Sequence, residues 1–266
     1  MTIDPGHGFR ALLRPHTGVV TEIRPTARGF ATDLAAVVVG EGERFFVKAM
    51  RNRPGGRRDQ ILREKAINPF VRSLAPALLW TAEDEEWIAI GFEAIEARCT
   101  EFSPGSPDLP IVVDLLCRIG RLGLPGVVRD WPETRWDWWA DEGAAALFKG
   151  DALLHTDINE GNFLIGAERS WVVDWSWPTQ GAAFIDPAMF VVQLVAAGHS
   201  PEEAEAWAAG CPAWAWADPK AIDAFAVAYA RMIRVRAMRK PEESWLAAMA
   251  DAIEAWARYR GITKIM

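Results

Sequence analysis

Three side chains able to move a proton or hold a hard cation stand close together in the stretch from Leu153 to Trp177, LLHTDINEGNFLIGAERSWVVDWSW. They are Asp157, Asn162 and Asp174. A carboxylate beside a hydroxyl can accept its proton, while an amide oxygen and a second carboxylate are oxygen donors of the kind magnesium prefers. The apolar run Phe163 to Ile165, the polar run Gly166 to Ser170 and the apolar run Trp171 to Val173 predict a small hairpin. Such a hairpin gathers the polar groups at its mouth, with one loop and one strand end facing a common point. Taken singly, each residue has a plainer use: Asp and Asn form turns, and a histidine such as His155 beside an apolar run packs or caps.

The spacing of His155, Asp157 and Asn162 follows the kinase catalytic-loop pattern H-R-D-L-x-x-x-N, two residues from His to Asp and five from Asp to Asn. Asp174 comes 17 positions after Asp157, as the later metal-binding carboxylate. The flanking residues resemble the aminoglycoside phosphotransferase and choline kinase family, the small-molecule branch of the kinase-like fold. Its loop usually reads H-G-D-x-x-x-x-N and its later strand ends I-D-W or I-D-F, which LLHTDINEGNFLI and WVVDW match. Thr156 stands where the family usually has Gly, and Asn159-Glu160 where it commonly has His-Pro.

The resemblance implies an α+β, two-lobed protein-kinase-like fold with a small antiparallel-sheet N-lobe and a mainly helical C-lobe. It implies Asp157 as the base for an attacking hydroxyl, Asn162 and Asp174 as ligands of Mg2+, and ATP (or GTP) as phosphoryl donor. His155 is then a structural residue of the loop. Asp186 has two readings: an N-cap followed by Pro187 at the first helical position, or, by the resemblance, a brace for the catalytic loop.

Composition sets the frame for these residues. A chain of 266 residues, 50% hydrophobic, can bury a sizeable core and fill two lobes. It contains no uncharged apolar run of about 18 residues, no charged-then-apolar leader at Met1 to Arg10 and no repeat, so a cytoplasmic location is expected. Cys99, Cys117 and Cys211, and the dispersed His7, His16, His155 and His199, offer neither a disulfide framework nor zinc spacing. A net charge of -7 argues against a nucleic-acid partner, and a small-molecule hydroxyl acceptor, no membrane and a monomer by default are expected. Seven of the 14 tryptophans (Trp131, Trp136, Trp138, Trp139, Trp171, Trp175, Trp177) cluster near Leu153 to Trp177, as core or as an aromatic wall for a substrate.

The elements that must position the site follow in order. Val19 to Ile23, Leu34 to Val39 and Phe45 to Ala49 predict a three-stranded antiparallel meander. The turn from Thr26 to Thr32 occupies the place of the phosphate-covering loop, with Gly29 and Thr32 as candidate phosphate contacts. Lys48, in RFFVKA, takes the place of the phosphate-pairing lysine, although alternation alone leaves its face undecided. Asp59 to Leu74 predicts a helix in which Glu64 is the candidate partner of Lys48, and Pro69 a kink or stop. Ala77 to Thr81 and Trp87 to Phe92 are strands around the acidic turn Glu83 to Glu86. Backbone groups from Glu93 to Ile95 take the adenine-binding place of a hinge by fold analogy. Ser103 to Pro107 marks the boundary between an N-terminal nucleotide-binding lobe, 1–102, and a helical lobe with the acceptor pocket, 103–266.

Beyond it, helices are expected over Asp108 or Leu109 to Leu122, Glu133 to Phe148, Asp186 to Ala197, a capping box at Ser200-Pro201-Glu202-Glu203, Asp218-Pro219 to about Arg239, and Pro241 to Tyr259. Glu202, Glu203, Glu205, Asp223, Glu242 and Glu243 are candidates for gripping a substrate amine, or else a solvated face. The resemblance implies an ATP-dependent phosphotransferase acting on a small-molecule hydroxyl, with an antibiotic such as an aminoglycoside as the expected acceptor. Rival readings are choline or another metabolite kinase, a nucleotide-binding module without activity, and a protein kinase. The last lacks D-F-G and A-P-E and has only 12 positions between Asp174 and Asp186 for an activation segment.

Overall fold

Alternation along Arg44–Arg51 sends Phe45, Val47 and Ala49 to one face of a sheet and Phe46, Lys48 and Met50 to the other. In the computed structural model, which describes residues 6–26 and 32–265, this strand is the centre of a five-stranded antiparallel sheet. The strands are β1 (Glu22–Pro25), β2 (Leu34–Val39), β3 (Arg44–Arg51), β4 (Leu78–Glu83) and β5 (Trp87–Glu93), in the order β1-β2-β3-β5-β4. The predicted meander is therefore present, with β1 starting later than expected.

Each face of the sheet is closed by one helix. Helix α1 (Gly6–Thr17), which the sequence reading did not anticipate, places Phe9 and Leu13 four residues apart against Val38, Phe45, Val47 and Trp87. Helix α2 (Gly56–Val71) buries Ile61, Glu64, Ile67 and Val71 as a stripe, and Ile61 joins Met50, Ile88, Ile90 and Phe92 on the opposite face. Pro69 lies inside α2 and the helix ends two residues later. These residues, Met1–Arg98 with Gly166–Trp177, make one of two units into which the chain divides.

The other unit is Cys99–Ile165 with Pro178–Met266. The short strands β6 (Ala97–Cys99) and β8 (Phe163–Gly166) lie where the chain passes between units, and β9 (Ser170–Val172) belongs to the first. The second unit holds α3 (Leu109–Ile119), β7 (Ala152–Leu154), β10 (Thr179–Gly181), α4 (Ile185–Ala196), α5 (Pro201–Ala208), α6 (Pro212–Ala215), α7 (Pro219–Arg239) and α8 (Ser244–Tyr259). Strands β7 and β10 pair antiparallel. The capping box of α5 is complete, with Ser200 and Glu203 each bonding the other's backbone N–H, and Asp218 caps α7 by accepting from Lys220.

Two local expectations are corrected. Glu133 to Phe148 forms no α-helix but two short 3-10 turns, Asp137–Trp139 and Ala144–Phe148. Gly143, at φ +78°, breaks any continuous helix, and Trp136 is drawn inward to stack edge-on against Phe225 and Tyr229 of α7. Asp186 does not cap α4. It is the second residue of that helix, Phe184 holds the cap position without a side-chain bond, and the Asp186 carboxylate is spent elsewhere.

Candidate active site

In the sheet unit, the ambiguity of Lys48 is resolved by α2, which covers the same face of β3. Its ammonium donates to both oxygens of Glu64 at 2.8 and 2.9 Å and to Asp174 Oδ1 at 2.8 Å. Lys48 and Glu64 are buried, 8% and 4% exposed, so this is not a surface lysine. Burial works against the ammonium, but the charges of Glu64 and Asp174 and their hydrogen bonds outweigh it and hold Lys48 above the ordinary lysine range.

Asp174 follows β9 with φ at +61°, a left-handed conformation uncommon for a residue with a side chain. The turn before β9 is closed by Gly166 N–H on Arg169 O, and Val172 N–H is held by Leu74 O after α2. Ser176 donates to Asp174 Oδ1 as well. One Asp174 oxygen is thus tethered, while its side chain keeps 38% of its surface in solvent.

Thr32 lies just before β2, and its hydroxyl is enclosed without a hydrogen-bond partner among the described residues. Gly29 lies outside the described residues. Glu93 ends β5 with its N–H already donated to Ala77 O, and Ile95 is half-buried in the segment that follows. These positions belong to the sheet unit.

In the helical unit, the catalytic-loop residues hold one another. Asn162, 8% exposed, donates its amide N–H groups to Asp157 Oδ2 at 2.8 Å and to Asp157 O at 2.9 Å. Because the nitrogen is committed, the amide oxygen is the atom left for a ligand. Asn159 caps the short turn Glu160–Asn162 by accepting from Gly161 N–H, and its own amide reaches Asp157 Oδ1 at 3.0 Å. Asp157 itself is exposed.

Beneath the loop, His155 is fully buried and accepts the Asp157 N–H on Nδ1 at 3.3 Å, a structural use. Asp186 accepts the backbone N–H groups of His155 and Thr156 at 2.8 and 2.9 Å, which is the bracing role rather than the capping one. Burial pushes the Asp186 carboxyl above its usual range, against the lowering pull of those two N–H groups. Thr156 has φ at +61°, a left-handed conformation that suits glycine better than a residue with a side chain. Arg135 compensates by donating to Thr156 O at 3.0 Å and to Thr156 Oγ1 at 2.9 Å.

Arg135 escaped the sequence reading because nothing in its own segment marks it; only the tertiary contact gives it a role. Tyr229 escaped for the same reason. Its hydroxyl is pushed up to about 12 by burial, with Arg135, Asp157 and Arg236 all acting on it. Of the clustered tryptophans, Trp136, Trp171 and Trp175 are buried, whereas Trp138 is 88% exposed.

The donor chemistry suits magnesium with a nucleotide. Among the described residues no group of three or more His, Cys, Asp or Glu is placed to hold a metal. Magnesium asks for less, since it retains waters and takes phosphate oxygens, and the Asn162 amide oxygen and the Asp174 carboxylate are each a donor of the kind it takes. No helix among the described residues is long and apolar enough to cross a membrane.

No protein-family model matches the chain, and no curated protein matches it by sequence. Solved structures do match in fold. Choline kinase LicA from Streptococcus pneumoniae is 13% identical, with a TM-score of 0.59 over 94% of this chain and 97% of that one. The GDP complex of aminoglycoside 2'-phosphotransferase-IIIa is 9% identical, with a TM-score of 0.61 over 95% and 98%. A thermostable mutant of aminoglycoside phosphotransferase APH(4)-Ia, in ternary complex with AMP-PNP and hygromycin B, is 14% identical, with a TM-score of 0.55 over 97% and 100%. The chain therefore has the two-lobed α+β, protein-kinase-like fold seen in small-molecule kinases.

Proposed function

We propose that this chain is an ATP- and magnesium-dependent phosphotransferase that acts on a hydroxyl of a small molecule. The observation that carries the reading is the convergence of Lys48, Glu64 and Asp174, far apart in sequence, into one mostly buried ion cluster. Structure alone does not need it, since an apolar strand residue at position 48 would pack against α2 at no electrostatic cost. A fold shared with kinases of small alcohols supports the same conclusion.

In this reading Glu64 holds the Lys48 ammonium toward the nucleotide phosphates, and Gly29 and Thr32 contribute to the loop that covers them. Backbone groups of Glu93 and Ile95 receive the base of ATP (or GTP). Asn162, through its amide oxygen, and Asp174, through its carboxylate, hold magnesium. The metal supplies neutralisation of phosphate charge when bound. Asp157 accepts the proton of the attacking hydroxyl, with its carboxylate aimed by Asn162 and Asn159. Residues 1–102 serve as the nucleotide lobe and 103–266 as the lobe that shapes the acceptor pocket. The acceptor classes left open by the motif are antibiotics such as aminoglycosides, choline and other metabolite alcohols.

The test is Asp157→Asn, assayed for magnesium-dependent ATP consumption against a panel of acceptors. The variant keeps its fold and its affinity for AMP-PNP and loses about 100-fold or more in turnover, the scale of a removed general base. Full turnover in that variant overturns the assignment.

A further inference from the structure

Cys117 and Cys211, far apart in the sequence, meet inside the helical unit, and neither is in a disulfide. Cys117 is on α3, one turn after Val113, so the two side chains leave the same side of that helix. Cys211 stands immediately before α6. Its N–H is held by Ala208 O, and its carbonyl accepts from Trp214 and Ala215.

The two segments grip each other crosswise. The Cys117 thiol donates at 3.3 Å to Gly210 O, the carbonyl directly before Cys211. The Cys211 thiol donates at 3.8 Å to Val113 O, one turn before Cys117. Gly210 permits this approach, since a Cβ there would lie 2.9 Å from Val113 Cγ1. Each sulfur is thus set against the backbone beside the other, and the two thiols are within hydrogen-bonding reach of one another. Burial, with Cys117 adding to it, pushes the Cys211 thiol up.

A cysteine that only fills space needs no second sulfur beside it. A disulfide requires Cα atoms about 4.4–6.8 Å apart and side chains aimed at each other, and thiols in contact across two fixed segments are placed to meet that condition with little movement of the chain. Exposure sets the order of events. Cys117 is half-buried and Cys211 is 1% exposed, so a reagent in solvent reaches Cys117 first.

We propose that Cys117 and Cys211 are a modification site, a dithiol that low-molecular-weight disulfides oxidise reversibly to a bridge between α3 and the corner before α6. The exchange has two halves. Cys117, as thiolate, attacks a disulfide RSSR; the S–S bond of RSSR breaks, a mixed disulfide forms on Cys117, and the departing thiolate takes up the proton that Cys117 gave. The Cys211 sulfur then gives up its proton, attacks Cys117 Sγ and displaces the second thiolate, which leaves as RSH. Two protein thiols lose two electrons and one RSSR becomes two RSH; excess thiol drives the reverse. The loop that the bridge closes, from Cys117 to Cys211, contains Asp157, Asn162, Asp174 and Asp186. Closing so long a loop removes conformations from the unfolded chain, so the oxidised protein is the more stable one. This site stands on the two thiols whether or not the chain transfers phosphate.

The experiment equilibrates the whole folded chain with oxidised glutathione and counts thiols after denaturation. The count falls from three to one, a digest shows the Cys117 and Cys211 peptides joined, and dithiothreitol restores all three thiols. C99S forms the same bridge. C211S stops at glutathione held on Cys117, and C117S takes up none at Cys211. Urea denaturation of the oxidised protein gives a folded-to-unfolded ratio about 30-fold or more above that of the reduced protein, and C117S and C211S lose this difference. Cys117 and Cys211 still titrating as thiols after equilibration overturns the proposal. So does glutathione retained on Cys117 in the native protein, glutathione on Cys211 in C117S, or a bridge that leaves the folding equilibrium unchanged or weakened.

Discussion

Arg135 holds Thr156 at both ends, one guanidinium nitrogen on its carbonyl oxygen and another on its hydroxyl, while Thr156 sits at φ +61°. A β-branched residue in that conformation is strained by about 1–2 kcal/mol, and two hydrogen bonds from a charged group offset it. The residue and its clamp form one unit. R135M is expected to destabilise the protein by about 2 kcal/mol, and by less in a T156G background, where the strain is absent and the hydroxyl is gone. Urea denaturation of the two singles and the double measures the coupling, which should exceed about 0.5 kcal/mol.

The Lys48 cluster sets a dependence on alkaline pH. Its folded pKa is raised above the unfolded value of 10.5, so the stabilisation is fully present below that pH and is given up as pH rises toward the folded value. Unfolding free energy measured from pH 8 to 11 should fall more steeply above pH 10 for the native protein than for K48M. E64A, which leaves the buried ammonium with only the half-exposed Asp174, should cost about 3–5 kcal/mol at neutral pH. The double variant K48M/E64Q should cost less than the sum of its singles, since neither charge is then stranded.

Asp186 carries the same sign in the acid range. Its folded pKa is raised, so the folded state binds the proton more readily, and its contribution weakens as pH climbs from 3.8 to the folded value. D186A strands the N–H groups of His155 and Thr156 in a buried site and should cost about 2–6 kcal/mol, at about 1–3 kcal/mol each. D186N keeps one acceptor oxygen and should cost less. Chemical denaturation of the three proteins at pH 4 and pH 7 orders them, with the gap between native and D186N narrowest at the higher pH.

Phe225 of α7 is the pivot of the helical unit. Trp136, Phe148, Phe184 and Tyr229 surround it at 4.8 to 6.0 Å between ring centroids. F225A should lose about 3–5 kcal/mol of stability by urea titration, and F225L distinctly less.

Much of the scaffold was legible because local chemistry and tertiary demand agree. Leu34–Val39 reads as a strand from its β-branched run, and Ser200 to Glu203 and Asp218-Pro219 mark helix starts that carry their own caps. Lys48 was located but not oriented, since a strand apolar on both faces holds no register signal until α2 lies on one of them. The stretch from Glu133 to Phe148 misled because its alanines and tryptophans favour a helix only if the rings can share one side. Trp136 goes inward and Trp138 outward, and Gly143 turns the chain five residues further on. Arg135 was illegible for another reason: its partner Thr156 lies in a separate segment, and charge in a sequence does not reveal what it will face.

Among the described residues, Thr156 and Asp174 are the two with side chains that adopt positive φ. Neither conformation is the one its own segment would choose; Arg135 with Asp186 enforces the first, and Lys48 with Ser176 the second. The stretch from Leu153 to Trp177 is for that reason not portable. Grafted onto a foreign scaffold, or synthesised as a free peptide, it would relax at these two hinges and scatter the groups it carries, so the motif is the property of the whole polypeptide rather than of its letters.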